Sequence, residues 1–212
     1  YSALCCAESI SFEQTLILLK HRGKAMQTAF PNGKGGMIAI LGSDIESIKN
    51  LLIENYSKFK CYIANDNSIG QIVVSGETSS LELLGNVLKN KNIKFLKLPV
   101  SAPFHCPLMA KATSEMKSKI LETDFRDPLV SVISNVTATP QNKFNEIQKL
   151  LIDQIEKPVR WRESIINMIN FGVNEFIEIG PGRILSGLIK RIDRNVKINH
   201  VNNLIDIKKI DD

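Results

Sequence analysis

Apolar and polar positions change rhythm three times along the chain. Ser11-Phe12-Glu13-Gln14 has the capping-box pattern. Leu16, Leu19, Met26 and Phe30 then recur at helical spacing, which predicts a helix over about 12–29. Pro31-Asn32-Gly33-Lys34-Gly35-Gly36 ends it and reads as a hinge or boundary. From there the runs are shorter. Met37 to Leu41 reads as a strand, Ser43-Asp44-Ile45-Glu46 caps a helix to about Tyr56, and Cys61 to Ala64 reads as a second strand. Asn65 to Gly70 is a turn cluster, and Gln71 to Ser75 makes a third strand. Ser79-Ser80-Leu81-Glu82 caps a helix to about Lys89, and Ile93 to Leu98 alternates as a fourth strand.

Beyond Pro103 helices and strands alternate. Helices are predicted at 107–122, 144–156, 161–171 and 183–192, with strands at Leu129–Ser134, Glu175–Ile179 and Val196–His200. The polar tail after Asn203 is expected to fray. The fold class is therefore α/β. Residues 36–98 have the β-α-β-β-α-β order of a ferredoxin-like subdomain. It is expected as an insertion in a core of 1–35 and 99–212 with a largely parallel sheet.

Composition narrows the class without naming a function. The 212 residues are 43% hydrophobic and 23% charged, with 27 Lys and Arg against 22 Asp and Glu. That balance argues against a disordered, collagen-like or disulfide-scaffold chain. No apolar run reaches the roughly 18 residues a membrane span needs. Cys5, Cys6, Cys61 and Cys106 lack metal-ligand spacing and read as buried thiols in a reducing compartment. The net charge of +5 hints at an acidic partner. The opening Tyr1-Ser2-Ala3-Leu4 has no initiating Met, cap or signal pattern, so it reads as the middle of an element and the chain is expected to be incomplete.

His105 is the first chemical candidate. It lies in Val100-Ser101-Ala102-Pro103-Phe104-His105-Cys106-Pro107, a Pro-bracketed loop leaving the smaller unit, where clefts form. A histidine there suits proton relay, or it is simply a hydrogen-bonded loop residue. Cys106 points away from its neighbour in an extended loop and reads as packing. Arg22 offers a fork for a carboxylate or phosphate, or belongs to a solvated helix face, and Gly23 beside it suggests close approach. Gly180-Pro181-Gly182 opens a helix after a strand. It lacks the glycine count of a nucleotide loop and reads first as a tight turn, with an anion site at the helix start as the other option. Trp161 reads as a core aromatic.

Together these stretches resemble the malonyl-CoA:acyl-carrier-protein transacylase family of type II fatty-acid synthesis. The matching segments are Tyr1-Ser2-Ala3-Leu4, Arg22-Gly23-Lys24-Ala25-Met26-Gln27, Pro103-Phe104-His105-Cys106-Pro107-Leu108-Met109, Gln154 with Pro158-Val159-Arg160-Trp161, and Glu178-Ile179-Gly180-Pro181-Gly182. The resemblance implies a partial α/β-hydrolase-like core and malonyl transfer from malonyl-CoA to the phosphopantetheine thiol of acyl carrier protein, with no metal or redox cofactor. It implies that His105 activates a serine, that the Gln154 main-chain carbonyl holds the imidazole, and that Arg22 pairs with the malonyl carboxylate. Phe104 resembles the malonyl-preferring variant. Arg183, Lys190 and Arg191 are the expected docking residues for the acidic carrier protein, the bland alternative being a solvated helix face.

In the family the nucleophile lies in a Gly-His-Ser-Leu-Gly-Glu elbow directly before the Tyr-Ser-Ala-Leu stretch. This sequence contains no such elbow, so base and clamp are expected without a nucleophile, in a cytoplasmic or organelle-matrix setting. The rival readings are an inactive remnant that keeps at most carrier-protein binding, and an acyltransferase domain of a polyketide or type I synthase. A nucleic-acid role for residues 36–98 ranks below both, because the strands lack stacking aromatic pairs.

Overall fold

The computed structural model describes residues 1–208. Helix α1 (Ser2–Cys6) leads into α2 (Phe12–Thr28), whose Ser11 cap accepts a hydrogen bond from the Gln14 N–H at 3.2 Å. The buried face of α2 differs from the expected one. Thr15, Leu18, Ala25 and Met26 face inward, whereas Leu16 and Leu19 are 50% and 38% exposed. Gly23 also departs from expectation: a methyl group there would meet open space.

A four-stranded unit follows, built from β1 (Gly35–Leu41), α3 (Ile45–Glu54), β2 (Cys61–Ser68), β3 (Gln71–Glu77), α4 (Thr78–Asn90) and β4 (Lys94–Lys97). Its strands are antiparallel in the order β2-β3-β1-β4. Six of the seven residues of β1 are buried, because both faces of the sheet are covered. Ile40, Ile48, Leu84 and Leu88 form the core beneath α3 and α4, while Met37, Ala39, Ala64 and Val73 fill the other face. Strand β2 runs four residues past its expected end. The Asn65–Ser68 stretch stays in the ladder through two register shifts, and the turn shrinks to Ile69-Gly70. Gly70 takes φ +73°, which glycine adopts without steric cost. Helix α4 starts at Thr78 after Glu77 rather than at the serine pair, with no side-chain cap.

The chain then enters a helical layer through a 3-10 turn at Pro107–Met109 and α5 (Ala110–Glu122). It continues through β5 (Val132–Ile133), β6 (Pro140–Gln141), α6 (Phe144–Asp153), α7 (Trp161–Asn170), β7 (Glu175–Ile179), α8 (Ile184–Ile192), β8 (Lys197–Val201) and α9 (Leu204–Lys208). Leu18, Met26, Met109, Met116, Ile120, Ile147 and Ile155 pack α2, α5 and α6 into one core. The expected strand at 129–134 is cut to β5, since Leu129 and Val130 are 73% and 64% exposed. The largely parallel sheet is corrected too: among the described residues, paired parallel strands are confined to β7 and β8. The frayed tail gives way to α9 as far as the described residues reach, and 209–212 lie outside them. Of the cysteines, Cys61 and Cys106 are buried, but Cys5 is half-buried and Cys6 exposed.

The Gly180-Pro181-Gly182 turn holds positive φ at both glycines. The Glu178 carboxylate accepts from the Leu185 N–H at 3.1 Å and the Ser186 N–H at 2.7 Å, so an internal side chain occupies the start of α8. Those bonds hold Glu178 below the usual carboxylate range despite some desolvation. No helix among the described residues is long and apolar enough to cross a membrane.

Candidate active site

Two connections meet between the helical layer and the four-stranded unit. Residues 98–106 lead out of β4, and residues 154–160 lead from α6 to α7. His105 sits on the first with φ +59°, a left-handed conformation that few residues other than glycine adopt. Phe104 before it is partly buried against both the helical core and the outer face of the sheet. Gly35 explains how tightly this loop is seated. A methyl there would overlap Pro103 and come within 3.0 Å of the Phe30 ring.

His105 Nδ1 lies 2.8 Å from the main-chain oxygen of Gln154 at the end of α6. A carbonyl oxygen only accepts, so this contact places the proton on Nδ1 and leaves the Nε2 lone pair free. Burial lowers the imidazole pKa below its ordinary value, and the Arg22 charge lowers it further, against the opposing bond to Gln154. The ring is therefore kept neutral near neutral pH, as a general base requires.

Arg22, on α2, is half-buried, and desolvation lowers its own pKa. Among the described residues it has no carboxylate partner; the ion pairs involve other cations. It lines a cavity of about 260 Å³ with Tyr1, Ser134, Asn135, Gln141 and Gln154. The phenol of Tyr1 is buried without a partner, and burial pushes it up to about 12. His105 faces a second, mainly apolar cavity of about 390 Å³ between Tyr56, Tyr62 and Glu156–Pro158. Gln154 thus borders the Arg22 cavity while its carbonyl holds the ring that borders the other. Phe104 lines neither cavity.

The predicted residues Arg22, His105 and Gln154 therefore converge, with Phe104 packed behind them. Cys106 is a packing residue whose thiol donates to the Pro103 carbonyl at 3.1 Å, and burial raises its pKa. Trp161, at the first turn of α7, is half-buried with its indole N–H unpartnered. Arg183, Lys190 and Arg191 are exposed along α8, and Arg191 donates to Gln71 at 2.5 Å.

Sequence reasoning missed the support around the site. The Arg160 guanidinium donates to the Val136 carbonyl at 3.1 Å and pairs with Glu163, while its N–H donates to Asn135. Those bonds fix the cavity wall at Ser134 and Asn135. Arg162 grips Asp66 with three contacts of 2.7 to 3.0 Å. Asp66 was hidden because its neighbours Asn65, Asn67 and Gly70 look like a turn. Among the described residues, no cluster of three or more His, Cys, Asp or Glu side chains is placed to hold a metal ion.

The acyl transferase domain family matches residues 1–204. The malonyl CoA-acyl carrier protein transacylase of Bacillus subtilis strain 168 is 41% identical over 199 residues, which covers 93% of this chain and 63% of that protein. The Staphylococcus aureus protein of the same name is 38% identical over 212 residues, covering 98% of this chain and 68% of its own length. The chain thus spans less than two thirds of the Bacillus relative. The solved transacylase of Clostridium perfringens superposes with a TM-score of 0.95 at 38% identity, over 99% of this chain and 66% of that one. A malonyl-transacylase solved in complex with its type II PKS acyl-carrier protein gives 0.94 at 37%, over 99% and 68%. The chain belongs to the acyl transferase domain family, and its relatives there carry the name malonyl CoA-acyl carrier protein transacylase.

Proposed function

We propose that these residues form the base and the carboxylate clamp of a malonyl transfer site. In this reading malonyl passes from malonyl-CoA to the phosphopantetheine thiol of acyl carrier protein, through a malonyl-serine ester, in fatty-acid synthesis. The observation that carries it is the 2.8 Å bond from His105 Nδ1 to the Gln154 carbonyl, with Arg22 and Gln154 on one cavity.

The chemistry follows from those positions. His105 Nε2 removes the serine proton as the hydroxyl attacks the thioester carbon, and the C–S bond then breaks with that proton going to the departing thiolate. The second half runs in reverse, with the pantetheine thiol as nucleophile and serine as leaving group. Arg22 pairs with the free malonyl carboxylate. An uncharged acyl group leaves that buried cation without a partner, which supplies the selectivity. Phe104 acts through packing, by fixing the backbone that presents His105. No metal or redox group enters any step.

The sequence contains no Gly-His-Ser-Leu-Gly-Glu, so the nucleophile in this reading is not among these residues and the segment alone accepts no acyl group. The strand order β2-β3-β1-β4 with two helices on one face supports taking 36–98 as a ferredoxin-like subdomain. We take 1–35 and 99–212 as part of a hydrolase-like core. The exposed Arg183, Lys190 and Arg191 make α8 the docking face for an acidic carrier protein.

Intact-mass measurement tests this directly. The chain incubated with malonyl-CoA is expected to gain no adduct. Joined behind a segment carrying Gly-His-Ser-Leu-Gly-Glu, it is expected to gain one malonyl group, and the His105→Ala version none in the same time. Near-normal loading of that variant removes His105 from the base role.

A further inference from the structure

The base is held from a distance. Gln154 closes α6, where its N–H donates to the Leu150 carbonyl at 2.9 Å, and the next residue, Ile155, is fully buried. Its side-chain amide donates to the Lys157 carbonyl at 3.0 Å, which folds the connection back on itself. Two residues later the connection joins the sheet. The Val159 N–H donates to Ala64 at 2.8 Å, and the Val159 carbonyl accepts from Asp66 at 2.9 Å, so Val159 lies as a short parallel addition to the edge of β2. Arg162, on the first turn of α7, then secures the junction. Its Nε lies 3.0 Å from both Asp66 carboxylate oxygens and its Nη2 2.7 Å from one, and the Asp66 side chain is only 10% exposed.

The connection that carries the Gln154 carbonyl is thus strung between α6 and β2, and the Asp66–Arg162 pair is its last anchor. Neither residue lines the Arg22 cavity or bonds to His105. We propose that Asp66 and Arg162 are positioning residues for His105, whose pairing across the two units keeps the Gln154 carbonyl against Nδ1 and so selects the imidazole tautomer. The proposal rests on the reading of His105 as base. A buried fork-to-carboxylate contact suits this task, because it fixes both distance and angle where a single point charge fixes neither.

The test reads the tautomer itself and needs no acyl transfer. The 212-residue chain is labelled with ¹⁵N-histidine, and His105 is told from His21 and His200 by the signals lost in His105→Gln. The unsubstituted chain is expected to carry its ring proton on Nδ1. In Asp66→Asn the ratio of the two tautomers is expected to move about fivefold toward Nε2–H, the equivalent of one ordinary hydrogen bond. The ring's titration midpoint should fall at the same time, because the bond to Gln154 opposes the lowering by burial and by Arg22. The titratable groups around the ring are Arg22, which acts on it electrostatically, and Lys49, Tyr56, Cys61, Tyr62, Cys106, Glu156 and Lys157, which line its cavity. All of them stay in place in every variant. The exchanged pair Asp66→Arg with Arg162→Asp is expected to restore the Nδ1–H form.

An Asp66→Asn chain that melts earlier yet keeps the original ratio overturns the proposal, since a purely structural tie predicts that outcome. Should Asp66→Asn not fold, Arg162→Lys keeps the charge and loses the fork. A smaller shift in the same direction supports the proposal, and an unchanged ratio overturns it. An unsubstituted ring without its proton on Nδ1 instead overturns the base role itself, before any variant is made.

Discussion

At the scale of residues the site depends on two groups that burial forces into unusual states. Arg22 is half-buried and, among the described residues, has no carboxylate partner. In a chain joined to a serine elbow, Arg22→Ala is expected to cut malonyl loading by about a hundredfold or more, the usual loss when a buried pair is broken. Acetyl loading should change little, and equal losses on both in single-turnover assays would take Arg22 out of the carboxylate site. His105 has a folded-state pKa below its ordinary value, so the unfolded chain binds its proton more readily. Its contribution to stability is complete above about pH 6.5 and is lost as pH falls through the folded value. Urea midpoints measured from pH 7.5 down to 5 should fall less steeply for His105→Gln than for the parent, and parallel slopes would contradict this. These residues were unequally legible in the sequence. The Pro-bracketed loop pointed to His105. Gln154 meets the ring through its main chain, which carries no residue-type signal, so only the family resemblance could name it. Asp66 and Arg162 are 96 positions apart and carried no local signature at all.

At the scale of elements, periodicity and caps located most helices and strands, and the misses have physical causes. The Asn65–Ser68 stretch looked like a turn, yet β-bulges and the pairing with Val159 keep it in the sheet. Leu129–Ser134 looks like a strand, but among the described residues only Val132 and Ile133 pair with another strand. Gly23, whose place in mid-helix suggests close approach, faces open space. Gly23→Ala is therefore expected to stabilise the fold by about 0.5–1 kcal/mol, through helix propensity and a less flexible unfolded chain. Equilibrium urea unfolding checks it, and a destabilised variant would mean that something outside these residues packs there.

At the scale of the molecule, the class of fold was legible but the composition of its sheets was not. Pattern alone cannot say how many strands join a parallel sheet, and here β7 and β8 pair only with each other among the described residues. Charge gave a sign and no location. If α8 is the docking face, replacing Arg183, Lys190 and Arg191 together by Glu should weaken binding of acyl carrier protein by about tenfold or more and flatten its salt dependence. Calorimetry at two ionic strengths reads both, and unchanged affinity would move the interface elsewhere.

The way the four-stranded unit interrupts the helical layer also bears on the order of assembly. Its two ends lie side by side: the Leu98 N–H donates to the Met37 carbonyl at 3.0 Å. Helices α2 and α5 pack together across this interruption. Once the unit has formed, the chain separating those helices is shortened to its two connectors, which lowers their loop-closure entropy by about 1 kcal/mol. The sheet thereby acts as a template in time, so mutations in its core should slow the docking of α2 on α5 although they touch neither helix.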